Sequence, residues 1–280
     1  MKTSCWCAAA LLLFSSSALA QGGTAGVSQV APLNMGETFT IQSKILGEVR
    51  RINVYLPPAY SEPPNPRLPV LYMPDGGMAE DFLHVAGLVQ VSVGNGTMRP
   101  FLLVGIENTE RRRDLTGPTQ NAEDRKIAPH VGGSAAFRRF IRSELMPVIK
   151  GRYRTTTETA IMGESLAGFF VVETFFSEPD LFDTYIAFDP SLWWNNGQLV
   201  KRAARQLGAA RNGQHTLYLA SSREDREQLT QQLADLLRQN APANLKWHFQ
   251  SMPNEAHATL YHPAALQALR RLFKPALEAR

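Results

Sequence analysis

Apolar and polar residues alternate along two stretches near the start of the chain, 38–45 and 51–56. A period of two places every second side chain on the same face of an extended strand. Pro57 and Pro58 follow the second stretch and end it, because proline has no amide hydrogen to donate to a neighbouring strand. The pattern therefore predicts a half-buried antiparallel hairpin.

Farther along, short apolar runs alternate with longer amphipathic ones, which predict strands and helices respectively. Strands separated by helices form mostly parallel sheets that helices cover on both faces. We therefore expect an α/β fold, a three-layer sandwich with a mostly parallel sheet and an antiparallel N-terminal start. The predicted strands are 70–73, 101–106, 159–162, 184–188, 216–220 and 245–249, and the predicted helices are 79–91, 134–149, 166–177, 197–207, 224–239 and 263–273.

The N-terminal segment has a pattern of its own. Lys2 precedes an apolar run at 8–14 and small residues that end at Ala20, which is typical of a secretory signal peptide. We expect a signal peptide at 1–20, a flexible leader at 21–35 and a single catalytic domain at 36–280. The protein would then be exported, to the periplasm or outside the cell. No stretch approaches the roughly 20 apolar residues of a transmembrane helix, so no membrane span is predicted.

Composition narrows the chemistry further. The two cysteines among the 280 residues, Cys5 and Cys7, both lie in the predicted signal peptide, so the mature chain would have no thiol nucleophile, disulfide or thiolate metal site. The formal net charge is +4, and the basic residues are scattered apart from the triplet 111–113, so no nucleic-acid partner is predicted. Metal-ligand, phosphate-loop and dinucleotide motifs are absent from the sequence, and we expect no metal and no cofactor.

A turn of small residues lies between the predicted strand 159–162 and an amphipathic helix. It reads Gly163-Glu164-Ser165-Leu166-Ala167. A nucleophile elbow needs small side chains two residues before and two residues after its serine, because that serine occupies a strained turn. Ser165 is therefore the candidate nucleophile. The alternative is that Ser165 only caps the helix that begins at Leu166.

A serine hydroxyl needs a base, and after an elbow of this kind the expected chain order is serine, acid, histidine. His257 follows the last predicted strand and precedes the final predicted helix, so it is the candidate base. His262 is its competitor, although its place directly before Pro263 favours a role at the start of that helix.

The acid is expected at a strand end between the serine and the histidine, where it would orient the imidazole. Glu224 follows the strand 216–220 by a short loop and is preferred. Asp225 beside it and Asp189, which follows the strand 184–188, are the alternatives. Acidic residues at a helix start are also favourable through the helix dipole alone, so Glu224 and Asp225 have a purely structural explanation as well.

Two backbone amides are expected to stabilise an oxyanion. One is the amide of Leu166, directly after the nucleophile, and the other comes from the loop after an early strand. The loop Asp75-Gly76-Gly77 follows the strand 70–73, and its glycines would allow the backbone to approach a substrate closely. We take Gly76 as the second donor. A simple turn explains the two glycines equally well.

Five ordered blocks of the chain resemble the "Putative esterase" family of α/β-hydrolases, which includes the esterase D, enterochelin (siderophore) esterase and antigen 85 types. The blocks are 70–77, 113–116, 163–169, 189–195 and 255–259. The resemblance implies an α/β-hydrolase fold with Ser165, Glu224 and His257 as a catalytic triad. One departure is that the acid region lacks the glycine that often precedes the acid of this family, which leaves the position of the acid open by one residue. The resemblance to siderophore esterases, which can work with little help from an acid, also leaves a dyad of Ser165 and His257 open.

The same resemblance implies which residues contact a substrate. The loop with Asp75 and Gly77 would shape the oxyanion hole, and Trp193 and Trp194 would wall the substrate pocket, although buried packing explains either tryptophan as well. A separate hypothesis, which the resemblance does not imply, is that Arg113 together with Arg111 holds an anionic substrate group. An exposed loop is the simpler explanation of these arginines.

We therefore expect a serine esterase that cleaves carboxylic esters through an acyl-enzyme, on a siderophore-type or other secondary-metabolite ester. The partner is then a small-molecule ester, and the sequence does not fix the oligomeric state. Two alternatives stay open: an acyltransferase with the same triad, and a non-catalytic binding protein with this fold.

Overall fold

The computed structural model describes residues 30–207 and 214–275. The predicted signal peptide and the leader as far as residue 29 lie outside the described residues. The chain divides into two units, residues 1–34 and 35–280. The described part of the first unit, residues 30–34, has no regular secondary structure. The strands and helices of the described residues lie in the second unit.

Strands and helices alternate along the second unit after an N-terminal hairpin. The strands are β1 (Glu37–Gln42), β2 (Val49–Tyr55), β3 (Leu68–Pro74), β4 (Leu102–Ile106), β5 (Thr155–Glu164), β6 (Thr184–Phe188), β7 (His215–Ser222) and β8 (Leu245–Met252). The helices are α1 (Phe82–Gly94), α2 (Arg111–Asp114), α3 (Ala122–Lys126), α4 (Ser134–Phe140), α5 (Met146–Arg152), α6 (Ser165–Ser177), α7 (Trp194–Leu207), α8 (Leu229–Asn240) and α9 (His257–Leu272), with a π-helical turn at Ile141–Leu145 between α4 and α5.

Within the described residues the strands form one sheet in the order β1-β2-β4-β3-β5-β6-β7-β8. Strand β2 pairs antiparallel with β1 and β4. The remaining neighbours, from β4 through β3 to β8, are parallel. This confirms the predicted mostly parallel sheet with an antiparallel start. The carboxyl ends of β3, β5, β6 and β7 lie side by side, so the loops that follow these strands meet at one edge of the sheet.

Two apolar cores cover the two faces of the sheet. One is formed against helices α4 to α8, with side chains such as Phe137, Phe170 and Leu233 fully buried. The other is formed against α1 and α9, with Val85, Ala265 and Leu269 fully buried. The three-layer arrangement is therefore confirmed.

Several predicted boundaries differ from the structure, and three of these differences have a clear physical reason. Strand β1 stops at Gln42 because Ser43 begins a turn, in which its amide donates to the carbonyl of Glu48 at 2.9 Å. Helix α8 begins at Leu229, five residues later than predicted, because the Asp225 carboxylate accepts hydrogen bonds from the amides at the start of that helix. Helix α9 begins at His257, so Pro263 lies inside the helix, and not at its start.

None of the helices in residues 30–207 and 214–275 combines the length and the apolar character that crossing a bilayer would require.

Candidate active site

Ser165 lies at the sharp junction between β5 and α6. Strand β5 ends at Glu164, and Ser165 is the first residue of the helix, with φ of 60°. A non-glycine residue in this left-handed region costs about 1–3 kcal/mol, which the surrounding packing must offset. The turn needs a glycine two residues earlier, because a Cβ on Gly163 would lie 2.7 Å from the Cβ of Ala167. The observed geometry is thus the strand, strained turn and helix that the sequence predicts.

His257 is brought to the same edge of the sheet by the end of β8, and it is the first residue of α9, not part of a preceding loop as predicted. Its Nδ1 lies 2.8 Å from Oδ2 of Asp189. A carboxylate accepts, so Nδ1 carries the proton, and Nε2 is left as the acceptor. The hydrogen bond to Asp189 raises the pKa of His257, burial opposes this, and the negative charges of Glu164 and Glu224 add to it.

Asp189 is almost fully buried at the end of β6 and is held in place by its neighbours. Ser222 donates from its amide to Oδ1 at 2.9 Å and from its hydroxyl to Oδ2 at 2.6 Å. Burial works to raise the pKa of Asp189, but the hydrogen bonds from His257 and Ser222 outweigh it, so that its pKa lies below the usual value. Asp189 is therefore a fixed, ionised acceptor for the imidazole.

The preferred acid, Glu224, occupies a different position from the one expected. Its Oε2 accepts from the backbone amide of His257 at 2.9 Å, and the imidazole contacts Asp189 instead. Asp225 accepts from the amides of Thr230 and Gln231 and caps the start of α8. The structure thus places Asp189, one of the two alternatives, against the ring. The competitor histidine, His262, stacks on His84 with ring centroids 4.8 Å apart.

The two amides expected around an oxyanion differ in their surroundings. Leu166 is the second residue of α6, and the amides of a helix's first turn have no partner within the helix, so its N–H suits an oxyanion. The amide of Gly76 donates to the carbonyl of Ile106 at 3.0 Å, and that of Gly77 donates to Glu80 at 2.6 Å. Neither glycine amide is therefore free for an oxyanion in this arrangement, which corrects the expectation for Gly76.

Gly76 permits a close backbone contact, and in the structure this contact is made with a neighbouring strand of the protein. A Cβ on Gly76 would lie 2.3 Å from the Cα of Gly105, in the adjacent strand β4. Asp75, directly before it, has φ of 56° and forms a two-point ion pair with Arg111, with Nε and Nη2 each 2.7 Å from a carboxylate oxygen. Asp75 and Arg111 thus neutralise each other beside the site.

Arg113 does not face the site with a free guanidinium. It lies 2.7 Å from Glu48 and 2.7 Å from Asp114, and Glu110 is 3.1 Å away. Burial works to raise the pKa of Glu48, but its hydrogen bonds to Arg113, Thr109 and Arg50 lower it to about 2. The expectation that Arg113 binds substrate is corrected, because carboxylates of the protein already satisfy its charge.

Trp193 and Trp194 differ in their environment. Trp194 is 2% exposed and its Nε1 donates to the carbonyl of Gly117 at 2.8 Å, so its polar atom is used inside the protein. Trp193 is partly exposed and lines a cavity of about 490 Å³ together with Lys201 and Arg226. The Arg226 guanidinium lies 5.3 Å from the centroid of the Trp193 ring. Trp193 is thus the tryptophan that a bound molecule could reach.

The segment 107–133 between β4 and α4, which contains α2 and α3, also lines this cavity through residues such as Asn121 and Asp124. Asn195, Asn196 and Gly197 have φ of 51°, 56° and 69°, a conformation that asparagine and glycine tolerate best. Asn195 accepts from the Gln120 amide at 3.0 Å and donates its own amide to Asp124 at 2.7 Å. The segment 107–133 is therefore fastened to the part of the chain that carries Trp193.

Three features of the site were missed by the sequence reasoning. Ser222 orients Asp189, and the Ser191 hydroxyl lies 3.5 Å from that of Ser165. Burial raises the pKa of Glu164, directly before the candidate nucleophile Ser165, to about 7, with His257 opposing and Asp81 adding to the shift. The sequence placed Glu164 in the turn motif and Ser191 in the block 189–195, but it indicated neither the raised pKa nor the contact with Ser165.

Among residues 30–207 and 214–275, no group of three or more histidine, cysteine, aspartate or glutamate side chains is arranged to hold a metal ion.

Comparison with known proteins adds to this geometry. The model of the family described as "Putative esterase" matches residues 43–277. The chain is similar to the ferri-bacillibactin esterase BesA of Bacillus subtilis, with 30% identity over 175 residues, 55% of this chain and 58% of that protein. It is also similar to the siderophore triacetylfusarinine C esterase of Aspergillus fumigatus, with 29% identity over 184 residues, 59% of each chain. The match thus spans less than two thirds of each of these relatives.

Among solved structures, an IroE-like serine hydrolase from Shewanella oneidensis superposes with a TM-score of 0.75 and 28% identity, covering 85% of this chain and 80% of the other. The BES protein from Bacillus cereus superposes with the same TM-score of 0.75 at 24% identity, covering 90% of this chain and 100% of the other, which shows the shared fold.

Proposed function

Because the chain belongs to the family described as "Putative esterase", we propose that it is a serine esterase that cleaves carboxylic esters through an acyl-enzyme on Ser165. The observation that carries the proposal is the hydrogen bond of 2.8 Å from Nδ1 of His257 to Asp189, at the edge of the sheet where Ser165 occupies its strained turn. This bond fixes the tautomer in which Nε2 can accept a proton.

Each step of the proposed reaction uses a group at this edge of the sheet. His257 Nε2 takes the proton of Ser165, whose Oγ attacks the ester carbonyl carbon and forms a tetrahedral oxyanion. The amide of Leu166 and the positive end of α6 stabilise that oxyanion. Collapse of the intermediate expels the alcohol, which takes the proton from His257. Water, deprotonated by the same nitrogen, then releases the acid and restores Ser165.

Asp189 is the acid in this proposal, in place of Glu224. Its low pKa keeps it ionised at neutral pH, so that it stabilises the imidazolium that forms during both halves of the reaction. Glu224 helps to hold the main chain of His257 in place, because its carboxylate accepts a hydrogen bond from the amide of His257.

For the substrate we propose a siderophore-type ester, on the strength of the relatives named as siderophore esterases. The cavity that Trp193 lines, with a volume of about 490 Å³, would hold one arm of such a molecule. Its aromatic wall suits a flat ring. The cations Lys201 and Arg226 lie there beside the carboxylates of Glu123, Asp124 and Glu227, so the cavity has no net positive charge. Export, with removal of residues 1–20, is part of the same proposal.

The test is hydrolysis of p-nitrophenyl acetate and butyrate by residues 21–280, beside the variants Ser165→Ala and His257→Ala. Loss of either residue is expected to lower kcat by several orders of magnitude. Ser92→Ala is the matched control, because it removes a buried hydroxyl near the C-terminal end of α1 that has no hydrogen-bond partner among the described residues. A folded wild-type chain that hydrolyses no ester, or Ser165→Ala with full activity, would refute the proposal.

The substrate is tested separately, by incubating the wild-type chain with ferric and iron-free tricatecholate trilactones and identifying the products by mass spectrometry. Stepwise opening of the ester bonds is expected. An added sugar or lipid alcohol distinguishes the acyltransferase alternative, because transfer would yield its ester in place of the free acid.

A further inference from the structure

A second serine hydroxyl lies beside the proposed nucleophile. The Oγ of Ser191 is 3.5 Å from the Oγ of Ser165, and Ser191 is 5% exposed. The two residues also contact through the backbone, since the Ser191 amide donates to the carbonyl of Ser165 at 3.0 Å. Ser191 thus approaches the nucleophile with both its main chain and its side chain.

The position of Ser191 is fixed by packing around a glycine of α6. A Cβ on Gly168 would lie 2.9 Å from the carbonyl oxygen of Phe188 and 3.2 Å from the Cα of Pro190. The absence of a side chain at Gly168 therefore lets the segment that follows β6 lie directly against the start of α6. A larger residue at 168 would push Ser191 away from Ser165.

The same segment is anchored on either side of Ser191. Two residues before it, Asp189 donates its amide to the carbonyl of Ala220 at 2.8 Å and receives two hydrogen bonds from Ser222. On the other side, the amide of Trp194 donates to the carbonyl of Ser191 at 3.1 Å. The hydroxyl of Ser191 consequently has little freedom except rotation about its own χ1.

The direction of the hydrogen bond follows from the tautomer of His257. Its Nδ1 proton is donated to Asp189, so its Nε2 is the acceptor for the proton of Ser165. Once the Ser165 proton points at His257, the Oγ of Ser165 can only accept from Ser191. Either oxygen could donate by geometry alone, and the proposed proton transfer from Ser165 to His257 makes the Ser191 hydroxyl the donor.

We propose that Ser191 is a positioning residue, whose hydroxyl donates to the Oγ of Ser165, selects the side-chain rotamer that faces His257 and supports the negative charge that develops on Oγ as its proton leaves. The inference rests on the proposed serine-esterase chemistry. It requires no contact between Ser191 and the substrate, so its contribution is the same for every electrophile that Ser165 attacks.

The test compares Ser191→Ala with the wild-type chain and with Ser92→Ala, which removes another buried hydroxyl, near the C-terminal end of α1. Two reactions are followed. One is inactivation by a fluorophosphonate, which reports only the attack of Oγ. The other is steady-state hydrolysis of p-nitrophenyl acetate and butyrate. Thermal unfolding of all three proteins checks that they are folded to the same extent.

For Ser191→Ala we expect the inactivation rate constant and kcat for both esters to fall by the same factor, roughly three- to tenfold, with KM unchanged and Ser92→Ala equal to wild type. Rates within twofold of wild type, a loss confined to KM or to one ester, or an equal loss in Ser92→Ala would overturn the inference while the esterase proposal stands. If the wild-type chain does not react with the fluorophosphonate, the esterase proposal is refuted, and this inference is refuted with it.

Discussion

The Nδ1 atom of His257 lies 2.8 Å from Oδ2 of Asp189, although 68 residues separate the two along the chain. Asp189 follows β6 and His257 follows β8, and β7 lies between these strands in the sheet. Ser222, at the end of β7, bridges the gap by donating two hydrogen bonds to Asp189. The contact between acid and imidazole thus depends on the carboxyl ends of three parallel strands.

Replacing Asp189 by asparagine is expected to lower kcat for ester hydrolysis by about 10³- to 10⁴-fold, because an amide nitrogen can donate to Nδ1 and so favours the wrong tautomer of His257. Glu224→Gln keeps an oxygen that accepts from the His257 amide, and a loss below about tenfold is expected. Rates with p-nitrophenyl butyrate measure both. Equal losses in the two variants would count against Asp189 as the acid.

The pH dependence of kcat/KM is expected to respond to Glu164. His257 must be neutral to accept a proton, and the negative charge of Glu164 helps to raise its pKa. The pKa of Glu164 is itself raised to about 7, so its charge is only partly developed where His257 titrates. Glu164→Gln removes this partial charge, so the pKa of His257 falls modestly and the acidic limb of the profile moves slightly to lower pH. The measurement is kcat/KM between pH 5 and 9.

Glu62→Gln, an exposed carboxylate on the connection between β2 and β3, is the control and should leave the limb in place. If the acidic limb of Glu164→Gln stays where it is in the wild type, or moves to higher pH, then Glu164 does not act on His257 through its charge.

The sequence revealed most about the parts of the site that depend on local structure. The turn at Ser165 could be predicted because its small neighbours are set by the contact between Gly163 and Ala167, four residues apart. The place of His257 after β8 followed from the order of the elements. That His257 is the first residue of α9 could not be predicted. Pro263 suggested that the helix begins there, whereas in the structure it begins six residues earlier.

Long-range choices could not be read from the sequence. Asp189 and Glu224 both follow parallel strands, and only the left-handed φ of 41° at Asp189 and its bonds from Ser222 show which carboxylate faces the imidazole. The hydrogen bond of the Gly76 amide could not be predicted either, because its partner, the carbonyl of Ile106, comes from a neighbouring strand. Such contacts depend on the register and packing of strands that are distant in the chain.

Gly76 is expected to tolerate no side chain, because a Cβ there would lie 2.3 Å from both the Cα of Gly105 and the amide nitrogen of Ile106. Gly76→Ala should lower the free energy of unfolding by at least roughly 1–3 kcal/mol. Gly87→Ala is the matched control, since a Cβ on that residue of α1 meets nothing within 4 Å. It should stabilise the protein by about 0.5–1 kcal/mol. Urea unfolding measures both, and a Gly76→Ala variant as stable as wild type would contradict the close approach.

Substitution of Trp194 is expected to lower the stability of the protein, whereas substitution of the adjacent Trp193 is expected to weaken substrate binding. Trp194→Phe removes the hydrogen bond to the buried carbonyl of Gly117, and an unsatisfied buried acceptor costs about 1–3 kcal/mol, so its Tm should fall. Trp193→Phe leaves that bond intact and should keep the Tm near wild type. Because Trp193 lines the cavity with Arg226 against its ring, the smaller aromatic face should raise KM for aryl esters with little change in kcat. A Trp193→Phe variant with wild-type KM for every ester, or one that loses as much Tm as Trp194→Phe, would show that Trp193 serves the packing of the protein and does not bind the substrate.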